Sequence, residues 1–312
     1  MKKALNDDVM TRRKIYAVLT GDLIRSREIK KACGEECIRH LKDALAEVGE
    51  EYAVPFSIFR GDSFQGVSSN PEDALKDAIF LRLKLISGLS PDNSKVRLDA
   101  RIAIGIGTVN YLPKDGSAGE GDGEAFQLSG LELDGMREAE QSLVVKTPWE
   151  DVNDLLPVFC NAVDKTINGY TKKQAEAVML TLEGLTQKEI AEKIGKSQSA
   201  VSHRLKGTNY DLIVKVIEYS KLQIHDQVEL TENIKDEGEE AKMLLEKGKY
   251  YLSTFRYPEA LKLFSQSLGI YSQINNRMGK ADALNYMGYA NYCQHRHDKA
   301  LDWYNQSLAI ER

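Results

Sequence analysis

Apolar positions along the chain fall into three regimes, and each predicts its own architecture. In the first regime short apolar runs alternate with helical spacing. Residues 15–19 (IYAVL) read as a buried strand ending at Thr20-Gly21-Asp22. A helix follows through Glu35–Val48, and 56–59 form a second strand. The run Arg60-Gly61-Asp62-Ser63-Phe64-Gln65-Gly66-Val67 suits a hairpin with Gly61 and Asp62 at its turn. Ala74, Leu75, Ala78, Ile79, Leu81, Leu85 and Ile86 recur at helical spacing within 71–87, and 98–109 (LDARIAIGIGTV) alternate small and branched residues as a strand does. Residues 113–123 (PKDGSAGEGDG) are too rich in glycine for regular structure; they suit a flap over a ligand or a plain flexible loop. A helix over 124–138 and a closing strand over Leu143–Lys146 complete the order. Strand, helix, hairpin, helix, strand implies an α+β sandwich with helices on one face of a mainly antiparallel sheet.

After Thr147-Pro148-Trp149 the second regime is helical throughout, with Val152, Leu155, Leu156, Phe159, Val163 and Ile167 on one stripe. A helix over 171–182 braces the stretch LTQKEIAEKIGKSQSAVSHRL at 185–205. There Ile190, Ala191 and Ile194 form one apolar face, and Gly195 stands where a left-handed turn residue is cheapest. Ser197 is placed to N-cap a second helix that buries Ala200, Val201 and Leu205. This pattern is a helix-turn-helix, and it resembles the segment of sigma-factor-like and repressor-like DNA readers. Gln187, Ser197, Gln198, Ser199, Ser202, His203, Arg204 and Lys206 are the candidate DNA-binding residues, with Gln198, Ser199 and Ser202 toward bases and Arg204 and Lys206 toward phosphates.

The third regime is a repeat. Gly248, Tyr251, Tyr257, Ala260, Leu261, Phe264 and Ser267 are echoed by Gly288, Asn291, His297, Ala300, Leu301, Tyr304 and Ser307 at an offset of 40. These positions resemble the tetratricopeptide repeat, whose usual period is about 34, so longer helices or a longer turn are expected. Ala260 and Ala300 belong at helix crossings, with Tyr251, Tyr257, Phe264, Tyr292 and Tyr304 in the core.

Composition narrows the readings only slightly. At 312 residues, 42% hydrophobic and 29% charged, the chain has material for two or three globular domains. Its net charge of −5 argues against a protein that coats nucleic acid indiscriminately. Between Thr171 and Gly207, however, lysines and Arg204 outnumber the four glutamates, so the reading module is locally basic. No secretory leader and no membrane-length apolar run stand out, which points to a cytoplasmic protein. Cys33 and Cys37 are four apart, but no second pair completes a zinc site, and reduced thiols are the reading.

Four motifs carry a resemblance over 14–206. Thr20-Gly21-Asp22-Leu23-Ile24-Arg25-Ser26-Arg27, Gly61-Asp62-Ser63-Phe64-Gln65-Gly66, Arg101-Ile102-Ala103-Ile104-Gly105-Ile106-Gly107 and Asp122-Gly123-Glu124-Ala125-Phe126 look like the SatD family. More distantly, the hairpin and the later strand are similar to those of class III nucleotide cyclases and GGDEF-type diguanylate cyclases. That similarity implies Asp22 and Asp62 as ligands of Mg²⁺, with Gly21, Arg25, Arg60 and Gly61 beside a nucleotide. It also implies an asparagine and an arginine on a later helix, where this chain has Gln127 and no arginine before Arg137. Turn chemistry alone also accounts for a Gly-Asp pair.

The expected architecture is therefore multidomain: a ferredoxin-like or cyclase-like α+β sandwich over 12–147, an all-α helix-turn-helix domain over 148–222 and all-α tetratricopeptide repeats over 236–312. The expected function is a DNA-binding transcriptional regulator, a homodimer on a two-fold site, with a degenerate cyclase-like sensor. The repeats would bind a protein partner or a second copy. A Mg²⁺-dependent nucleotide-processing enzyme and a protein-interaction scaffold are the alternatives.

Overall fold

A computed structural model describes residues 14–59, 61–88, 97–113, 118–136, 141–232 and 237–311. The sheet is built around β1 (Ile15–Leu23), which is covered on both faces and so reads as a continuous apolar run. Two helices follow, α1 (Ser26–Cys33) and α2 (Glu35–Val48), where the sequence predicted one. Gly34, at φ 58°, turns the chain between them. The hairpin of β2 (Val54–Phe59) and β3 (Ser63–Ser68) turns at Gly61, φ 85°. After it come a 3-10 turn at Pro71–Asp73, α3 (Ala74–Ser87), β4 (Ala100–Thr108), a 3-10 turn at Ala118–Glu120, α4 (Glu124–Met136) and β5 (Leu143–Lys146). The strand order is β2-β3-β1-β4-β5, antiparallel except for β4 with β5.

Helices cover both faces of this sheet, not one. Ile15, Ala17, Leu19 and Leu23 join α1, α2 and α3 in the main core, together with Ile102, Ile104 and Ile106. The alternate positions of β1 and β4 face α4, with Val18 against Ala125 and Phe126, and Ala103 against Leu133 and Met136. The alternation of branched and small residues in β4 has this cause. A Cβ on Gly105 would lie 2.1 Å from the Ala125 carbonyl oxygen, so only glycine lets α4 pack so closely.

Beyond β5 the chain is helical: α5 (Glu150–Asn153), α6 (Leu156–Asn168), α7 (Lys172–Leu182), α8 (Gln187–Lys193), α9 (Gln198–Leu205) and α10 (Tyr210–Glu232). Thr147-Pro148-Trp149 marks a change of secondary structure but not of core. One hydrophobic cluster runs from Ile15 and Leu19 through Val163, Val178, Ile190 and Val201 to Ile224, and α7 packs on α3. Residues 13–229 accordingly form one compact unit.

Its two halves are joined by a buried guanidinium. Arg82 on α3 is 0% exposed. It donates to both carboxylate oxygens of Asp99 at 2.9 Å, to Asp164 on α6 at 2.5 Å and to Asn168 at 3.1 Å. The second Asp164 oxygen accepts from the backbone N–H groups of Ser142 and Leu143, at the start of β5. Arg97 adds bonds to the carbonyls of Ile167 and Tyr170. Every polar atom that burial strips of water here has a protein partner, which is the condition for tolerating such a charge.

From Leu230 on the chain forms a second compact unit. Its helices are α11 (Glu237–Ser253), α12 (Tyr257–Gln273), α13 (Arg277–Cys293) and α14 (His297–Glu311). The offset of 40 recurs in matching contacts. Ser267 donates to the Ala241 carbonyl at 2.7 Å, and Ser307 to that of Ala281 at 2.9 Å. Gly248 and Gly288 lie flat against the rings of Phe264 and Tyr304. The added length is in the helices, three of which have 17 residues. Ala260 and Ala300 are buried as expected, and so are Tyr251 and Phe264, while Tyr257 and Tyr304 are half-buried. Tyr292 is not in the core: it is 55% exposed and packs edge-on with His297. Tyr271 is buried instead.

Candidate nucleic-acid interface and the carboxylates at the sheet end

The helix-turn-helix is held by caps that its sequence encodes. Thr171 and Gln174 cap each other reciprocally at the start of α7, and Thr186 and Glu189 do so at α8. Both Thr-x-x-Gln/Glu signatures were legible in the sequence and were missed. The hydrogen bonds from Thr186 also hold the Glu189 carboxyl below its ordinary pKa. Gly195 takes φ 62° in the turn, and Ser197 caps α9 by accepting from the Ala200 N–H at 3.3 Å. Ile190, Ala191, Val201 and Leu205 are buried beneath.

That packing leaves Gln198, Ser199, Ser202, His203 and Lys206 exposed along α9, with Lys188 and Lys196 also exposed, and Gln187 half-buried in the first turn of α8. Two of the predicted DNA-binding residues have structural duties. The Ser197 hydroxyl is engaged as a cap and with Ser199 Oγ at 2.9 Å. Arg204 turns inward, its Nη1 donating to Glu176 Oε2 on α7 at 2.6 Å, so it ties α9 to the brace helix instead of facing outward to a phosphate. Tyr170 makes a second tie, donating to the Thr208 carbonyl at 2.5 Å just beyond α9.

At the end of β1 the predicted cation site has a different geometry. Asp22 lies at the end of β1, in register with Ser63 of β3, so Asp62 is the turn residue just before that partner. The Asp22 carboxylate, however, faces Arg101 directly across β4. Arg101 Nε donates to Oδ1 at 2.8 Å and Nη2 to Oδ2 at 2.9 Å. Among the described residues no group of three His, Cys, Asp or Glu side chains is placed to hold a metal ion. The Asp22 carboxylate thus already has a guanidinium on both of its oxygens.

Gly21 does not offer a phosphate cradle either. It sits on the core face, where a Cβ would lie 2.4 Å from the Phe64 ring and 2.6 Å from the Arg101 carbonyl oxygen. Gly61 is exposed, and a Cβ on it would be 3.3 Å from Lys30 Nζ, a cation the sequence reading overlooked. Arg25 is exposed and takes a left-handed φ of 55° at the start of α1; Arg60 lies outside the described residues. The glycine-rich loop is folded where it is described. Ala118 is buried against β2 and β3, and Tyr111 bridges to Asp122. Such packing does not suit a free flap; 114–117 lie outside the described residues.

Among the described residues no helix is long and apolar enough to cross a membrane. A comparison with curated proteins gives no match. Two solved structures of a bacterial light-regulated adenylyl cyclase show a distant likeness to the chain. Each is 14% identical and covers 42% of this chain; the matches span 74% and 42% of their own chains, with TM-scores of 0.33 and 0.34. Residues 160–206, from within α6 to the end of the helix-turn-helix, match the family model of sigma-70, region 4, and residues 239–312 match that of the tetratricopeptide repeat.

Proposed function

We propose that the chain is a DNA-binding transcriptional regulator that reads its site with α9 and engages a protein partner, or a second copy of itself, through its repeats. The observation that carries this reading is the outward face of α9. Gln198, Ser199, Ser202 and His203 are exposed together on a helix whose apolar side is buried and whose cap is made. A helix so presented fits a major groove, and Lys188, Lys196 and Lys206 around it supply phosphate contacts. The likeness to sigma-70 region 4 over the same helices supports it. The sheet-bearing half, which we read as ferredoxin-like or cyclase-like and whose motifs resemble those of the SatD family, serves here as the mount of the reading head.

Binding measured against salt on a selected site and on random DNA tests the reading. Gln198→Ala should cost about 1–3 kcal/mol on the selected site and little on random DNA, whereas Lys206→Ala should weaken both alike and flatten the salt slope. Equal losses on both DNAs for both variants would refute base reading by α9. Sedimentation on a two-fold site tests the dimer.

A further inference from the structure

We infer that Arg101 is the resident counter-cation of Asp22, so that this end of the sheet is complete without a divalent metal. The two residues are register partners on adjacent antiparallel strands, which fixes their backbones independently of the side chains. Their contact is the bidentate fork that matches a guanidinium to a carboxylate, at 2.8 and 2.9 Å. Side-chain exposure is 10% for Asp22 and 23% for Arg101, so solvent screens the pair only in part.

A magnesium ion at Asp22 would have to break this fork. It demands near-octahedral oxygen ligands at about 2.0–2.1 Å and sheds its water reluctantly, so it does not share a carboxylate face with a guanidinium at no cost. Breaking the fork would also leave a partly buried guanidinium beside a doubly charged ion. The Asp99 end of the same strand provides no alternative ligand, because both its oxygens are held by Arg82. The pair instead closes β1 to β4 through side chains just where the chain leaves the sheet for Ile24, whose N–H bonds to the Asp99 carbonyl. The carboxylate that resembles a cyclase ligand is thus a structural clamp in this chain. The inference stands independently of DNA binding.

The test is thermal unfolding of the full chain in Mg²⁺ titrations at constant ionic strength, with and without ATP or GTP. The wild type should show no rise beyond that in matched KCl. Arg101→Gln removes the positive charge and should unfold at lower temperature; it should recover with added Mg²⁺ or Ca²⁺, the rise growing with the logarithm of cation concentration. Asp22→Asn combined with Arg101→Gln should lose that recovery. A wild-type rise with Mg²⁺ that Asp22→Asn abolishes would overturn the inference, as would an Arg101→Gln protein indifferent to divalent cations. If Arg101→Gln does not fold, the wild-type and Asp22→Asn titrations decide by themselves.

Discussion

Replacing Arg82 with methionine tests whether the sheet and the reading head are one cooperative body. Methionine keeps most of the side-chain volume, so the perturbation is the loss of charge and of four hydrogen bonds to Asp99, Asp164 and Asn168. Removing one partner of a buried ion pair costs about 3–5 kcal/mol, because the other charge is left uncompensated. Here two carboxylates are stranded, but neither is bare. Asp164 keeps the N–H groups of Ser142 and Leu143, and Asp99 keeps the N–H of Ala100 and sits 3.6 Å from Arg97. A loss near 3 kcal/mol is therefore expected, which for a unit of this size lowers the melting temperature by roughly 6–12 °C.

The loss carries a pH signature. Burial already raises the Asp164 pKa, against the pull of Arg82. Without Arg82 it rises further, so the folded variant takes up a proton more readily than the unfolded chain. Stability lost at neutral pH should then return as pH falls through the raised folded value toward the ordinary carboxylate range. Melting followed by circular dichroism from pH 8 to pH 4.5, with hydrogen exchange on β5, α6 and α9, reads both effects. Protection in all three elements should fall together. A melting shift under about 2 °C with no pH dependence, or α9 unaffected while β5 opens, would refute a shared, ion-locked core.

Two further outcomes follow from single sites. Burial raises the Asp77 pKa to about 6, with the Tyr52 hydroxyl bond at 2.9 Å opposing it. A carboxyl with a raised folded pKa favours the native state at low pH, so the contribution of Asp77 to stability should grow as pH falls from 7 through 6 toward 4, and the difference in melting temperature between wild type and Asp77→Asn should shift in favour of the wild type over that range. Ala260→Leu should overpack the fully buried helix crossing in the repeats and cost about 1–3 kcal/mol by denaturant titration. An unchanged midpoint would mean that the crossing is loose.

Much of the local structure was written in neighbouring residues. Gly195 and Ser197 announced the turn and cap of the helix-turn-helix because both act within a few residues of their own position. The repeat was legible for a different reason: Gly248 and Gly288, or Ser267 and Ser307, meet the same demand twice, and the offset exposes it. Alternation along β4 predicted a strand with two unlike faces, though not that α4 would lie on the small one.

Tertiary structure decided the rest, because charges and cores are matched across distance in sequence. Nothing local tells Arg82 from an exposed helix arginine, yet 82 positions separate it from Asp164, and that contact joins two expected domains. Arg204 looked like a phosphate ligand on its own helix until α7 placed Glu176 against it. A resemblance cast Asp22 as a metal ligand, and only the register of β1 with β4 sets Arg101 opposite it. A side chain's chemistry is set by its residue type, but its partner is set by the packing of elements that the sequence brings together only through the whole fold.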